Sequence, residues 1–167
     1  GGARTYLGLS TVGFPNFFMI TGPGSPSVLA QMIQSIEQHA DWIADCIAHI
    51  SDIGAETIEP TLDAEDAWVD HVNEVSEISL RSTCSSWYVG ANIPGTPRVF
   101  MPYIGGFPVY VQKCNDVMTK GYEGFKINGD TPKAECPNIR QTERWRIPLD
   151  IEVITPAALA AMRVPIV

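Results

Sequence analysis

Gly13-Phe14-Pro15-Asn16-Phe17-Phe18-Met19-Ile20-Thr21-Gly22-Pro23-Gly24-Ser25-Pro26-Ser27 is the stretch of this sequence that decides the fold. Its apolar run from Phe17 to Ile20 is typical of a strand buried on both faces, and a Gly/Pro turn follows it. Ser25 suits an N-cap and Pro26 suits the first helical position, so the sequence predicts a helix that begins there. Such a helix start would offer free backbone N–H groups and the positive end of the helix dipole to an electron-rich ligand, such as a phosphate or a flavin ring. The other interpretation of the turn is a simple strand-to-helix connection.

Apolar residues then recur at three- and four-residue steps, which predicts that the helix continues to about Ser51, with Gly54 marking its end. The members of this stripe are Val28, Leu29, Met32, Ile33, Ile36, Ala40, Ile43, Ile47 and Ile50. We expect the stripe to form the inward face of the helix.

Two further helices are predicted. One starts after Pro60-Thr61, with acidic residues in its first turns, and ends near residues 81–84. The other covers Val109–Lys120, with Gly121 at the position after its C-cap. Their predicted inward faces are Ala64, Trp68, His71, Val72, Val75 and Leu80 in the first, and Val111, Cys114, Val117 and Met118 in the second. A short strand is predicted at Val99-Phe100-Met101, and a final short helix after Thr155-Pro156.

Composition excludes several classes of function. The 167 residues suffice for one domain with a real core. A net charge of −8 with only 11 Lys and Arg, and no basic run, argues against nucleic acid as a partner. No apolar run approaches the roughly 20 residues of a membrane span. The four cysteines are widely spaced without a CxxC pair, which favours reduced thiols and a cytoplasmic location.

Candidates for metal binding and nucleophilic catalysis are weak. Glu37, His39 and Asp41 are two residues apart on a helix and point in different directions, so we expect exposed or interfacial polar residues and no metal site. Neither a GxGxxG fingerprint, a P-loop nor a GxSxG elbow is present, so the sequence supports neither a complete mononucleotide-binding unit nor an acyl-transfer site. Trp87, on a loop framed by Gly and Pro, offers a flat face that either closes over a cofactor or packs on a neighbouring helix.

Five segments, which occur in the family's order between about Arg4 and Phe125, resemble the C-terminal portion of Baeyer–Villiger monooxygenases: residues 11–32, 35–39, 87–95, 98–106 and 121–125. These are FAD- and NADPH-dependent flavoproteins that insert one atom of O₂ beside a ketone carbonyl. The resemblance implies an α/β fold: the C-terminal piece of a flavoprotein with two dinucleotide-binding domains, mostly helical with a few short strands.

The resemblance also implies roles for individual residues. Cofactor contacts are expected beside the flavin ring and in the mobile loop 84–97, which folds over the nicotinamide nucleotide: Gly22, Pro23, Gly24, Ser25, Pro26, Ser27, Trp87 and Asn92. Val28, Leu29 and Met32 would line an apolar substrate pocket suited to a hydrophobic ketone. Thr96 departs from the lysine that many family members carry after Ile-Pro-Gly, so no charge contact is expected there.

We therefore expect residues 1–126 to be the C-terminal part of an FAD domain and residues 127–167 to be a C-terminal extension. The family's glycine-rich fingerprints and catalytic arginine would lie upstream, in the remainder of the FAD and NADP domains. The resemblance therefore implies that no residue of this chain is catalytic and that the piece alone would not be active. Two alternatives remain: a flavin N- or S-monooxygenase, and a non-catalytic helical interaction domain. The latter requires that this chain itself buries Phe17–Ile20.

Overall fold

The computed structural model describes residues 2–27, 30–77, 87–89, 94–95 and 100–128. In this part of the chain, helix α1 covers Met32–Asp52, α2 covers Leu62–Glu77 and α3 covers Phe107–Thr119, with a short 3₁₀ helix at Trp87–Val89. Strands β1 (Thr57–Pro60) and β2 (Phe125–Asn128) form an antiparallel pair in which Ile58 lies opposite Ile127. The described residues are thus an α/β arrangement of three helices beside one small sheet.

The core lies where the helices meet the N-terminal segment. Trp42 of α1 donates its indole N–H to the carbonyl of Cys114 in α3 at 3.0 Å, which ties the two helices together. Its ring packs edge-on against Tyr122. The buried apolar residues around this contact include Tyr6, Leu7, Leu9, Cys46, Ile58, Trp68, Val72, Tyr103, Tyr110, Val111, Val117 and Met118.

Most of the predicted helices are confirmed. α2 begins one residue after Thr61 and carries Asp63 and Glu65 in its first turn. α3 begins two residues before the predicted Val109 and ends at Thr119, one residue before the predicted end, and it buries all four of its predicted inward residues. Gly121 follows the C-cap with φ +71°, a conformation that glycine adopts without strain. The predicted end of α2 near residues 81–84 and the final helix lie outside the described residues.

The beginning of α1 differs from the prediction. The helix starts at Met32, not at Ser25-Pro26. Pro26 instead pairs with Tyr103 in an isolated parallel bridge, and the Tyr103 N–H donates to the carbonyl of Ser25 at 2.9 Å. The backbone of Ser25 and Pro26 is therefore extended against another segment, so the chain becomes helical only six residues later.

The predicted strand at Phe17–Ile20 is also wrong, because no strand is assigned to these residues. Phe17 and Ile20 are each 48 % exposed, although Phe18 and Met19 are partly buried. In the described part of the predicted strand Val99–Met101, Phe100 and Met101 are not in a strand either. The two strands observed were not predicted.

The inward face of α1 is not the predicted one. The buried residues of α1 are Ser35, Gln38, His39, Trp42 and Cys46. Most of the described apolar stripe points outward: Ile33 is 65 % and Ile47 is 56 % exposed, and Met32 and Ile36 are exposed as well. Only Ile43 and Ile50 pack partly against the core. The helix therefore presents an apolar face that the other described residues leave uncovered.

Candidate functional site

The turn Thr21–Ser25 is held by backbone hydrogen bonds, both within the turn and to two other segments of the chain. The N–H of Gly22 donates to the carbonyl of Gly8 at 3.2 Å, and the N–H of Gly24 donates to the carbonyl of Met101 at 2.5 Å. The N–H and hydroxyl of Ser25 both donate to the carbonyl of Gly22, at 3.1 and 2.7 Å. The expectation of a helix start with free amides is therefore wrong at these three residues, because their N–H groups already have acceptors within the chain.

A second turn, at Leu7-Gly8, packs against Ser25 and accepts the N–H of Gly22. Leu7 and Gly8 have φ of +58° and +72°. A Cβ on Gly8 would lie only 2.5 Å from the Cβ of Ser25, which no real packing allows. Glycine at position 8 is thus required twice, by its backbone conformation and by the close approach of Ser25.

His39 connects these two turns from α1. Its Nδ1 accepts the N–H of Thr21 at 2.9 Å, and its Nε2 lies 2.9 Å from the hydroxyl of Tyr110. That hydroxyl donates in turn to the carbonyl of Leu7 at 2.7 Å. His39 is fully buried, so the expectation that it is an exposed or interfacial residue is wrong, while Glu37 and Asp41 are partly buried.

Burial keeps the imidazole of His39 neutral. Desolvation lowers its pKa from 6.5 to about 4, because the protein interior disfavours the charged form. Nδ1 faces a backbone N–H and must be the unprotonated acceptor, so Nε2 carries the proton and donates to the Tyr110 oxygen. The Tyr110–Leu7 hydrogen bond is consistent with this tautomer. Because Tyr110 donates its one hydroxyl proton to the carbonyl of Leu7, its oxygen can accept the proton of Nε2.

Met101 joins the turn to the short 3₁₀ helix on its other side. Its carbonyl accepts from Gly24, as described, and its N–H donates to the carbonyl of Tyr88 at 2.9 Å. The turn is also in contact with α2, because Trp68 donates its indole N–H to the carbonyl of Gly24 at 3.2 Å. The backbone of one residue, Met101, therefore connects Tyr88, which follows Trp87, with the turn that carries Gly24.

The predicted site residues are only partly brought together. Residues 22–27 form one compact segment, Met32 is the exposed first residue of α1, and the backbone of Trp87 lies in the 3₁₀ helix. Val28, Leu29, Asn92 and Thr96 lie outside the described residues. A small depression beside Pro23 and Gly24 has a cavity volume of about 10 Å³, which is roughly the space of one water molecule. This depression is too small to hold a cofactor.

Metal and thiol chemistry find no support in the described part of the chain. No group of three or more potential metal ligands occurs there. Cys46 and Cys114 are free and buried, and burial raises the pKa of each thiol to about 12, so neither is a reactive thiolate. Cys84 and Cys136 lie outside the described residues. No helix in the described ranges combines the length and the apolar character that crossing a membrane requires.

Comparison with known proteins gives a consistent result. No family model matches the chain. Over 126 residues it is 38 % identical to an acetone monooxygenase (methyl acetate-forming) of Gordonia sp. (strain TY-5), an alignment that covers 75 % of this chain and 24 % of that protein. Over 121 residues it is 40 % identical to a Baeyer–Villiger monooxygenase of Pseudooceanicola batsensis, covering 72 % and 22 %.

Solved structures agree with these relatives. A closed crystal structure of cyclohexanone monooxygenase matches with a TM-score of 0.73 and 37 % identity over 77 % of this chain and 24 % of that one. An oxidized steroid monooxygenase bound to NADP matches with a TM-score of 0.69 and 50 % identity, covering 75 % and 23 %. The chain spans about a quarter of the length of the proteins that it matches.

Proposed function

This chain belongs to the Baeyer–Villiger monooxygenase family, and on that premise we propose that it is one segment of an FAD- and NADPH-dependent monooxygenase. The complete enzyme would convert a hydrophobic ketone, O₂, NADPH and a proton into an ester or lactone, water and NADP⁺. In this proposal residues 1–126 are the C-terminal part of the FAD-binding domain, loop 84–97 closes over the cofactor, and residues 127–167 are a C-terminal extension. We propose a cytoplasmic location.

The uncovered apolar face of α1 is the structural observation that carries this proposal. Ile33 and Ile47 are more than half exposed, and Phe17 and Ile20, each 48 % exposed, are apolar too. Large side chains that stay in water contribute nothing to stability, whereas burying each one is worth about 1.5–3 kcal/mol. We infer that the remainder of the FAD and NADP domains covers this face. A self-contained interaction domain, which must bury Phe17–Ile20 itself, is correspondingly disfavoured.

The turn Thr21–Ser25 fits a flavin in one respect and not in another. It is hydrogen-bonded within the chain and partly exposed, and α1 begins a few residues later with the exposed apolar side chains of Met32, Ile33 and Ile36, which suit contact with a flat ring. It does not offer the N–H groups of Gly22, Gly24 and Ser25, since these are bonded within the chain. We propose that Gly22, Pro23, Gly24, Ser25, Pro26 and Ser27 contact the isoalloxazine ring by packing, and that other segments supply its hydrogen bonds.

The nicotinamide side of the site is assigned to the loop. We propose that Trp87 and Asn92 contact NADPH when the loop closes and that closure excludes water from the reaction. The Tyr88–Met101–Gly24 backbone connection supports this assignment, because it ties the beginning of the loop to the turn that would lie beside the flavin. Val28, Leu29 and Met32 are proposed to line the ketone pocket. The bound cofactors would supply the redox chemistry with O₂, and these residues would position them.

Expression of the complete enzyme tests the proposal. The full-length protein should be yellow, consume NADPH when a cyclic or linear ketone is added, and yield the ester or lactone by gas chromatography with mass detection. The 167-residue chain alone should neither retain FAD in an absorbance titration nor oxidise NADPH. Tight FAD binding by the isolated chain, or a colourless full-length protein, would contradict the proposal.

A second assay separates the chemistries within the family. One relative that is 36 % identical over 126 residues is a phenazine N-monooxygenase, so a heteroatom must be tested as substrate. Competing a ketone against a sulfide and an aromatic amine at equal concentration should give the ester as the main product. A dominant sulfoxide or N-oxide would instead assign the enzyme to heteroatom oxidation.

A further inference from the structure

We propose that His39 and Tyr110 act together as the positioning element of the turn Thr21–Ser25 and thereby set the place of the flavin ring. This inference rests on the proposed function, because it assumes that the turn lies beside the flavin. The pair itself contacts neither cofactor nor substrate in this proposal. Its effect is transmitted through the backbone of Thr21.

The conformation of Thr21 requires such a support. Thr21 has φ +55°, in the left-handed region that is a genuine outlier for a β-branched side chain. Residues held in this region persist only where the surrounding structure determines their conformation. The N–H of Thr21 donates to Nδ1 of His39, and this bond fixes the Ile20–Thr21 peptide, through which the chain enters the turn.

The same imidazole also connects the turn to its support. Nε2 of His39 donates to the hydroxyl of Tyr110, and this hydroxyl donates to the carbonyl of Leu7. Leu7 precedes Gly8, whose carbonyl accepts the N–H of Gly22 and whose Cα lies against Ser25. The hydrogen-bonded chain from Thr21 through His39 and Tyr110 to Leu7 therefore holds both turns in one register.

Burial makes this chain of hydrogen bonds selective for one state of the imidazole. His39 and Tyr110 are fully buried, so water cannot replace either partner. A neutral imidazole with its proton on Nε2 satisfies both neighbours, whereas a leucine would leave the Thr21 N–H without an acceptor. An asparagine could place its side-chain oxygen near the position of Nδ1 and would restore only the bond to Thr21.

The test compares His39→Leu, His39→Asn and Tyr110→Phe in the full-length protein. Two quantities are measured: the exchange rate of the Thr21 amide in the flavin-free protein, and the FAD dissociation constant with the visible circular dichroism of the bound flavin. His39→Leu should raise both the exchange rate and the dissociation constant about tenfold and change the dichroism. His39→Asn should restore Thr21 exchange and most of the FAD affinity, and Tyr110→Phe should lie between the two.

A second substitution tests the mechanism itself. Asparagine adopts the left-handed conformation more readily than threonine, so Thr21→Asn needs less support from His39. We expect Thr21→Asn alone to bind FAD like the wild type. In the double variant with His39→Leu, it should reverse at least half of the increase that His39→Leu causes in the logarithm of the FAD dissociation constant. Val111→Ala, a buried change in α3 outside this hydrogen-bonded chain, is the control for lost stability.

The outcomes are distinct. At an equal loss of thermal stability, His39→Leu should weaken FAD binding more than Val111→Ala does; equal effects would mean that His39 is an ordinary core residue. Failure of Thr21→Asn to restore FAD binding to His39→Leu would likewise overturn the inference. Should His39→Leu not fold, the comparison is made between Tyr110→Phe alone and Tyr110→Phe combined with Thr21→Asn. A wild-type protein that binds no FAD would refute the proposed function, while the exchange of Thr21 would still report whether His39 holds the turn.

Discussion

Glu65 holds Val12 against α2 across 53 residues of sequence: one carboxylate oxygen accepts the N–H of Val12 at 2.9 Å. The same oxygen accepts the hydroxyl of Thr11 at 3.1 Å, and the other accepts Nε of Arg4 at 3.3 Å. Glu65 is buried, yet each of its oxygens faces a donor. From the sequence, the carboxylate of Glu65 was expected to complement the dipole of α2. In the structure it also anchors the N-terminal segment.

Replacing Glu65 by glutamine tests this anchor. The amide has one acceptor oxygen where the carboxylate has two, so its NH₂ group must face either Arg4 or the donors of the N-terminal segment. We expect a loss of about 1–3 kcal/mol in the free energy of local opening, because a buried donor loses its acceptor. The exchange rate of the Val12 amide measures this. Glu74→Gln, an exposed change on the same helix, should stay within about 0.5 kcal/mol, and equal effects of both changes would contradict the assignment.

The pKa of His39 predicts a pH dependence of stability. In the unfolded chain His39 takes up a proton near its ordinary pKa of 6.5, whereas in the folded chain burial lowers the pKa to about 4. Between these values the unfolded state binds more protons, so stability decreases as the pH falls from about 6.5 to 4. The contribution of this one residue approaches about 3 kcal/mol at the lower end.

His39→Asn removes the titrating group and isolates this contribution. Burial also lowers the pKa values of His49 and His71, so the wild type and the variant should share a residual slope in the same direction. Urea denaturation at several pH values should give a flatter profile for His39→Asn, and His49→Gln should leave most of the wild-type slope. Parallel profiles for wild type and His39→Asn would mean that the imidazole is not kept neutral by burial.

Sequence periodicity located the helices but not the direction in which α1 faces. The three- and four-residue spacing of Ile33, Ile36 and Ile47 correctly indicated a helix that ends before Gly54. It could not distinguish a face that packs on this chain from a face that would pack on another part of a larger protein, because both are apolar. The strands β1 and β2, four residues each, carry too little pattern to be recognised.

The sequence indicated a segment for the candidate site but not the hydrogen bonds that position this segment. The resemblance assigned residues 22–27 to the cofactor; in the structure the turn ends in the extended backbone of Ser25 and Pro26, and the cofactor contact stays a prediction. The roles of His39 and Tyr110 were missed because their partners, Thr21 and Leu7, are 18 and 103 residues away. The one available signal was a second stripe on α1, in which Ser35, His39, Trp42 and Cys46 recur at helical spacing. Only tertiary structure reveals what that stripe contacts.

Gly8→Ala and Gly13→Ala form a matched pair for the packing of the two turns. Both glycines have positive φ, +72° and +87°, so alanine costs about 1–2 kcal/mol at either position for the backbone alone. At Gly13 nothing lies within 4 Å of the new Cβ, whereas at Gly8 it would meet Ser25 at 2.5 Å. We expect Gly8→Ala to cost at least about 2 kcal/mol more in unfolding free energy and to weaken FAD binding. Equal costs would show that the turns do not need this close approach.

The Ile33→Asp variant tests whether the apolar face of α1 is buried in the complete enzyme. Ile33 is 65 % exposed in this chain, so a charge there should leave the isolated segment folded and reduce its self-association in sedimentation experiments. In the full-length protein the same carboxylate would have to enter an apolar interface and displace an isoleucine worth about 1.5–3 kcal/mol, so FAD content per polypeptide and thermal midpoint should both fall. Gln34→Asp adds the same charge at the neighbouring exposed position. If the two full-length variants retain equal FAD and equal midpoints, Ile33 faces solvent in the whole protein and the covering surface must lie elsewhere.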